Sequence, residues 1–283
     1  MDIASRATGC DLRDFDSFYA TMENVRPNVV INCAAMVGSL KYVSDYAADV
    51  AHNNLLMLTN MYRVLGLKFP EVALIQPIAN CMYPGASSLF REDEWSDGPV
   101  HPSVLAYGAT RRMGMTIGEC YRRQYGVRSV FLIAPNMYGP NDSHDPEKAH
   151  ALNALASKFV KASHTGTGVE IWGTGTPIRE WLYVNDFARV ACDVIEQLER
   201  QVFDEPINIA REEGVTIRHL VDLISGTLGF NGKITYNTSY PDGAPSKIMS
   251  QSRFRRYFPN FEFTPFQKGM DETIQYYQKL YPY

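Results

Sequence analysis

The 283-residue chain lacks a close-set group of glycines near its beginning: the first three, Gly9, Gly38 and Gly66, are widely dispersed. Glycines so spaced cannot form the turn between a first strand and a first helix on which a dinucleotide's pyrophosphate rests. The reading is of an opening β-α-β unit, roughly 40 residues, that is not encoded. Cysteine is scarce too. Cys10, Cys33, Cys81, Cys120 and Cys192 are odd in number and scattered, which excludes a disulfide framework and a C-x-x-C metal motif. No basic run exceeds pairs such as Arg111-Arg112 and Arg255-Arg256, and the net charge is -4, so there is no electrostatic footprint for nucleic acid. No apolar stretch is long enough to cross a bilayer, and no basic segment followed by an apolar one opens the chain. A cytoplasmic protein without a membrane partner is expected.

What is present is an ordinary globular composition, 45% hydrophobic and 20% charged, enough for one full core or two coupled ones. The run Val29 to Ala35 is short, β-branched and apolar, and reads as a buried parallel strand. From Tyr46 to Leu65, apolar residues at Ala47, Val50, Met57, Leu58, Met61 and Leu65 follow helical spacing, with Gly66 expected to close the helix. Asn54 falls on that stripe and reads as a satisfied core amide. A strand over 72–75, a helix over 107–125 ending at Gly126, and a strand over 129–133 continue the alternation. It predicts an α/β fold: an incomplete doubly wound, Rossmann-like parallel sheet with the first β-α-β missing. Residues 1–135 form this truncated domain. Residues 136–283 form a smaller α+β substrate region with helices over 149–162, 185–201 and 216–228, and a strand over 207–209 returning to the sheet.

Tyr107-Gly108-Ala109-Thr110-Arg111 places a phenol and a cation at i and i+4 on one helical face. A neighbouring cation lowers a phenol's pKa and fits it for proton transfer to a carbonyl. An amphipathic helix start with a solvated arginine is the bland alternative. The surrounding motifs decide between them. Asn80-Cys81-Met82-Tyr83-Pro84 follows a strand; Pro135-Asn136-Met137-Tyr138-Gly139-Pro140, Ala149-His150-Ala151-Leu152, Trp172-Gly173-Thr174-Gly175-Thr176-Pro177-Ile178-Arg179-Glu180 and Pro241-Asp242-Gly243 come later. In this order and spacing they resemble the GDP-L-fucose synthase family of extended short-chain dehydrogenases, from about Asp11 to the C-terminus.

The resemblance implies catalytic roles for Cys81 and His150 as acid and base in epimerisation, with Tyr107 as proton donor beside Arg111. It implies that Asn136, Lys158, Trp172, Arg179 and Asp242 line a GDP-sugar, and that Asp11, Leu12 and Arg111 lie at the NADP(H) site. It also implies a homodimer through helices 46–65 and 107–125; a heterodimer with a full-length relative is the other possibility. His144, Asp145 and Glu147 match no ligand spacing, and no metal is expected.

The sequence departs from that family's pattern in four places. Ala79 stands where the family has a serine, Arg111 replaces a lysine, Ser250 replaces an aspartate, and the glycine-rich NADP turn is absent. A guanidinium can still depress a phenol's pKa but does not release a proton into a relay. The expected activity is therefore nucleotide-sugar epimerisation more than hydride transfer. The alternatives are a non-catalytic nucleotide-sugar-binding or partner subunit, and a complete NADP-dependent reductase whose coding frame starts further upstream.

Overall fold

The structure, a computed structural model, describes residues 1–145 and 148–283. A 3-10 turn, Arg6–Thr8, precedes helix α1 (Phe15–Val25), whose cap Asp14 accepts the backbone N–H groups of Asp16 and Ser17. Strand β1 (Val29–Ile31), α2 (Leu40–Asp45), α3 (Ala47–Lys68), β2 (Ala73–Ala79), α4 (Leu105–Tyr125) and β3 (Ser129–Ala134) follow. The later part holds β4 (Asn136–Tyr138), α5 (Ala151–Thr165), β5 (Val169–Trp172), β6 (Ile178–Arg179), β7 (Trp181–Tyr183), α6 (Val184–Gln197) and β8 (Ile207–Asn208). It closes with β9 (Val215–Thr216), α7 (Ile217–Leu228), β10 (Ile234–Asn237), β11 (Ser246–Lys247), α8 (Ser252–Tyr257) and α9 (Phe266–Leu280).

The main sheet is parallel, in the order β1-β2-β3-β8, and gives the Rossmann-like α/β architecture. Strand 207–209 returns to it as expected, so the two halves of the chain interleave. Alternation along β2 sorts its residues: Leu74 packs with Met61, Tyr62 and Leu65 of α3, while Ala73 and Ile75 pack with Val190, Val194 and Phe254. Burying each such aliphatic side chain stabilises the fold by roughly 1.5–3 kcal/mol. A separate cluster of Leu152, Phe159, Leu220, Ile224, Met270 and Tyr277 holds the later part of the chain together. Among the described residues, no helix is long and apolar enough to cross a membrane.

Several boundaries differ from the sequence reading. Helix α3 runs through Gly66 to Lys68, because Gly66 is an interior contact: a Cβ there would stand 2.7 Å from a ring carbon of Tyr121 on α4. The first strand ends at Ile31, α5 is shifted to Ala151–Thr165, and α6 stops at Gln197. Strand β2 extends beyond Ile75 through Gln76 and Pro77 to Ala79. Odd-numbered N–H groups of β2 face β1, as Ala73 donates to the Asn28 carbonyl, and β1 has ended before Pro77. The missing proline donor therefore leaves no ladder acceptor unpaired.

Candidate functional site

The site begins where β2 ends. The chain turns at Asn80–Met82 in a buried 3-10 turn, and α4 crosses directly over it: a Cβ on Gly108 would stand 2.5 Å from the Cys81 carbonyl oxygen. That close approach sets Tyr107 and Arg111, one turn apart on α4, beside Cys81. The Arg111 guanidinium carbon lies 4.7 Å from the Tyr107 ring centroid, and Nη2 donates to Asn54 Oδ1 at 2.6 Å. Its Nε is buried without a partner.

Asn54 is a satisfied core amide and also the clamp on Arg111. It accepts from Met36 N at 3.1 Å and donates to the carbonyls of Met36 and Val50 at 2.9 and 2.8 Å. With Asn32, Gln76, Thr110 and Arg111 it lines a cavity of about 10 Å³. That is near the size of a single water.

A second cation reaches Cys81 from the other half of the chain. Strands β11 and β6 pair in parallel with Lys247 opposite Arg179. Burial pushes the Cys81 thiol up, and the charges of Lys247 and Arg111 oppose that. Burial also pushes the Tyr107 phenol up, against the charge of Arg111, while Cys81 adds to the rise. Lys247 is pulled down by burial, with Cys81 opposing and Arg179 adding to the fall. His101 is lowered by burial and by the same two cations. Among the described residues, neither Lys247 nor Arg179 forms an ion pair with a carboxylate. Cys81, Tyr107, Arg111, Lys247, Arg179 and His101 thus form one electrostatically coupled, cation-rich group.

The loop from Trp172 to Arg179 is closed by the segment around Asp242. Asp242 Oδ1 accepts from Thr174 N and Oδ2 from Thr174 Oγ1, both at 2.8 Å, while its carbonyl accepts from Arg179 Nη2 at 3.1 Å. Asp242 is therefore a brace for the loop, with both carboxylate oxygens in use. Arg179 Nη1 donates to the Ile178 carbonyl, and burial lowers the guanidinium to about 10 although the Asp242 charge opposes it. Lys158 Nζ stands 4.2 Å from the Trp172 ring centroid.

Asn136 Nδ2 donates to the Glu180 carbonyl at 3.2 Å. The Glu180 carboxylate is fully buried and accepts from the backbone N–H groups of Arg211, Glu212 and Met249 at 2.6, 3.0 and 2.9 Å. Burial pushes it up to about 7 against those donors. It ties the β6–β7 segment to the turn after β8 and to the end of β11.

His150 caps α5, and its Nδ1 lies 3.1 Å from Asp142 Oδ2, which also accepts from the His150 backbone N–H at 2.9 Å. Burial raises Asp142, but the hydrogen bond and charge of His150 outweigh it and hold the carboxyl below its ordinary value. Among the described residues no hydrogen bond or ion pair joins His150 to Cys81. Glu147 lies outside the described residues, and the His144 ring rests on Tyr283.

The residues expected at a cofactor site divide in the same way. Asp11 is held at about 2 by hydrogen bonds from Arg13, and the Leu12 carbonyl accepts from Asn60 on α3. Neither is bonded to Arg111. A nicotinamide dinucleotide would find Tyr107 and the unpaired Arg111 Nε at one end. For its pyrophosphate, the described residues make no strand, glycine turn and helix: Gly9 follows a 3-10 turn, Gly38 precedes the short α2, and Gly66 lies inside α3. Tyr107 and Arg111 are the described groups that would hold the nicotinamide end of such a cofactor.

A cavity of about 630 Å³ between Arg211, Arg255, Phe261 and Phe263 contains none of the residues named for chemistry. Sequence reading missed Lys247, His101 and Asp142. Lys247 follows the Pro-Asp-Gly motif by four residues, but only the β6–β11 register brings it to Arg179 and Cys81.

Comparison with known proteins gives consistent matches. The model of the NAD dependent epimerase/dehydratase family matches residues 2–210. The chain is 32% identical over 269 residues to the probable GDP-L-fucose synthase 1 of Oryza sativa, covering 93% of this chain and 79% of that protein. It is 29% identical to the GDP-L-fucose synthase of Escherichia coli, covering 94% and 84%. Among solved structures, the GDP-L-fucose synthetase of Naegleria fowleri bound to NADP superposes with a TM-score of 0.86 at 28% identity, covering 99% of this chain and 85% of that one.

Proposed function

The chain belongs to the NAD-dependent epimerase/dehydratase family, and on that premise we propose that it acts on a GDP-linked 4-keto-6-deoxy sugar by epimerase-type proton transfer. The observation that carries this reading is the buried group in which the Cys81 thiol shares its surroundings with Tyr107, Arg111 and Lys247. Proton abstraction beside a ketone needs a base, a donor to the developing enolate oxygen, and an acid on the opposite face. Cys81 takes the proton from carbon, and Tyr107, backed by the Arg111 charge, donates a hydrogen bond to the oxygen. His150, oriented by Asp142, returns a proton from the other side. Solvent then resets both groups, and the sugar leaves with one inverted centre and no change in oxidation state.

GDP is the nucleotide proposed because the relatives named above are GDP-L-fucose synthases. Arg179 supplies the cation for a diphosphate through a planar fork. Hydride transfer is the lesser activity on this reading. Ala79 offers no hydroxyl to the carbonyl, a loss worth about 3 kcal/mol, and Arg111 does not relay protons. Incubation with GDP-4-keto-6-deoxymannose in deuterated water tests the proposal. Exchange at C3 or C5 that disappears in Cys81→Ala is expected; no exchange in the unsubstituted protein sinks it.

The same two departures favour a second reading, a nucleotide-sugar-binding subunit paired with a full-length relative. Full biological activity in a Cys81→Ala/His150→Ala double variant supports that reading over the enzyme. Self-association through α3 and α4 is also proposed, supported by exposed Leu67 and Met113 on those helices. Light scattering that shows a monomer at micromolar concentration rejects it.

A further inference from the structure

The indole of Trp172 is covered on both faces. Lys158 Nζ stands 4.2 Å from the ring centroid and is tethered by its hydrogen bond to the Glu170 carbonyl. The Tyr240 ring lies 4.5 Å away, at 8° to the indole plane. A ring stacked in parallel fills one face, so the ammonium takes the other.

Tyr240 reaches Trp172 from a turn fixed at both ends. Strand β10 runs beside β5 with Asn237 opposite Trp172, and the Asn237 side chain accepts from Ser239 N and Oγ. Two residues past the ring, Asp242 is bonded to Thr174. The Tyr240 hydroxyl has no hydrogen-bond partner among the described residues, whereas the Lys158 ammonium has one. Of the two covers, the tyrosine is the one held by stacking alone. An aromatic pair contributes a factor of about two to ten beyond its buried area, which a competing planar ring can match.

We propose that Tyr240 is a latch on the nucleotide subsite: it occupies the face of Trp172 that a nucleoside diphosphate's base takes, and the ligand binds by displacing it. This rests on the nucleotide-sugar reading given above. The position of the diphosphate cation supports it, since Arg179 donates to the carbonyl of Asp242, on the same segment that carries Tyr240. A base against Trp172 and a diphosphate at Arg179 therefore both engage this one loop. A closed latch lowers apparent affinity by the fraction of molecules that are open, and does so equally for every nucleotide.

Calorimetric titration of GDP and UDP into the unsubstituted protein, Tyr240→Ala and Tyr240→Phe tests this, with thermal melting as the control for folding. Tyr240→Ala is expected to bind both nucleotides threefold to tenfold more tightly, and Tyr240→Phe to match the parent. Unchanged affinity in Tyr240→Ala shows that the ring does not stand in the base's way, and weaker binding shows that the ring is itself the stacking surface; either overturns the latch. A measurement on the unsubstituted protein does not depend on the variant's folding. Nitration of Tyr240 by tetranitromethane, followed by peptide mass spectrometry, is expected to rise when GDP saturates the site. Protection by GDP overturns the proposal. If the unsubstituted protein binds neither nucleotide at millimolar concentration, the nucleotide-sugar reading fails and the latch with it. Binding that is indifferent to Tyr240 removes the latch alone.

Discussion

Two arginines, Arg111 on α4 and Arg179 on β6, are each 9% exposed, and neither faces a carboxylate within ion-pair distance among the described residues. They are held in opposite ways. Arg111 rests on a phenol ring and an asparagine, with Nε unpaired, and its charge falls on the Cys81 thiol and the Tyr107 phenol. Arg179 is bonded to two backbone carbonyls, of Ile178 and Asp242, and burial has pulled it to about 10. A buried cation without a counter-charge is costly unless other groups or a ligand offset it. At the sheet end the offset is local, through groups that titrate. In the loop region two backbone carbonyls hold the cation, and on the proposed function a diphosphate completes the offset. On the function proposed above, proton chemistry belongs to the first region and anion binding to the second.

Removing each cation in turn is the most direct way to break that division. Arg111→Met is expected to lower the rate of solvent-proton exchange into the sugar about 100-fold or more, with GDP affinity changed by less than about threefold. Arg179→Met is expected to do the reverse. GDP affinity falls by about 10- to 100-fold, as for the loss of a hydrogen-bonded charge, and exchange at saturating substrate is nearly kept. Isotope exchange by NMR and calorimetry on both variants measure the two effects. Equal loss of both properties in both variants means the regions are not separable.

The loop region's buried acid sharpens the comparison through pH. Glu180 titrates near 7 in the folded protein, above the ordinary 4.5 of an unfolded glutamate. The folded state then holds a proton between those values that the unfolded state has lost. Its contribution to stability is full below pH 4.5 and falls away as pH rises through about 7. Urea midpoints are expected to fall between pH 5 and 7, by the equivalent of about 1–2 kcal/mol. In Glu180→Gln that slope disappears. The variant is also less stable at pH 5, because its amide has one acceptor oxygen for three backbone donors. An unchanged slope in Glu180→Gln assigns the pH dependence to another group.

How much of this could be read from the sequence depends on how local each relation is. Tyr107 and Arg111 sit one helical turn apart, so spacing put them on one face, while the role of Cys81 came from the family resemblance. The wider group was hidden. Asn54 meets Arg111 across 57 positions, and Lys247 meets Arg179 only through the β6–β11 register. Periodicity reports which face a residue takes on its own element and carries no information on which distant element covers that face. The same limit shortened β2 in the sequence reading. Gln76 and Pro77 interrupt its apolar run, yet Gln76 is satisfied by Asn32 and Pro77 lies past the end of β1. The roles of Trp172 and Asp242 came from the family resemblance, which is silent on their partners in this chain. In the fold one is stacked on Tyr240 and the other is bonded to Thr174.

The smallest expected effect tests where the two regions touch. Lys247 belongs by its strand to the loop region, yet its charge acts on Cys81. Burial has raised the thiol, so at neutral pH most of it is protonated, and the rate of any step that uses the thiolate climbs with pH. Taking away a positive charge disfavours the thiolate further, moving the rising limb of the pH–rate profile to higher pH. At a fixed pH below that limb the rate falls in proportion to the lost thiolate. Lys247→Met is therefore expected to lower exchange about threefold at pH 8. The deficit closes as pH is raised through the titration of the thiol. Lys247→Arg, which keeps the charge, is expected to retain the parent's limb. A loss in Lys247→Met that is the same at every pH assigns Lys247 to holding the sugar, and the cation-rich group around Cys81 would then act through Arg111 alone.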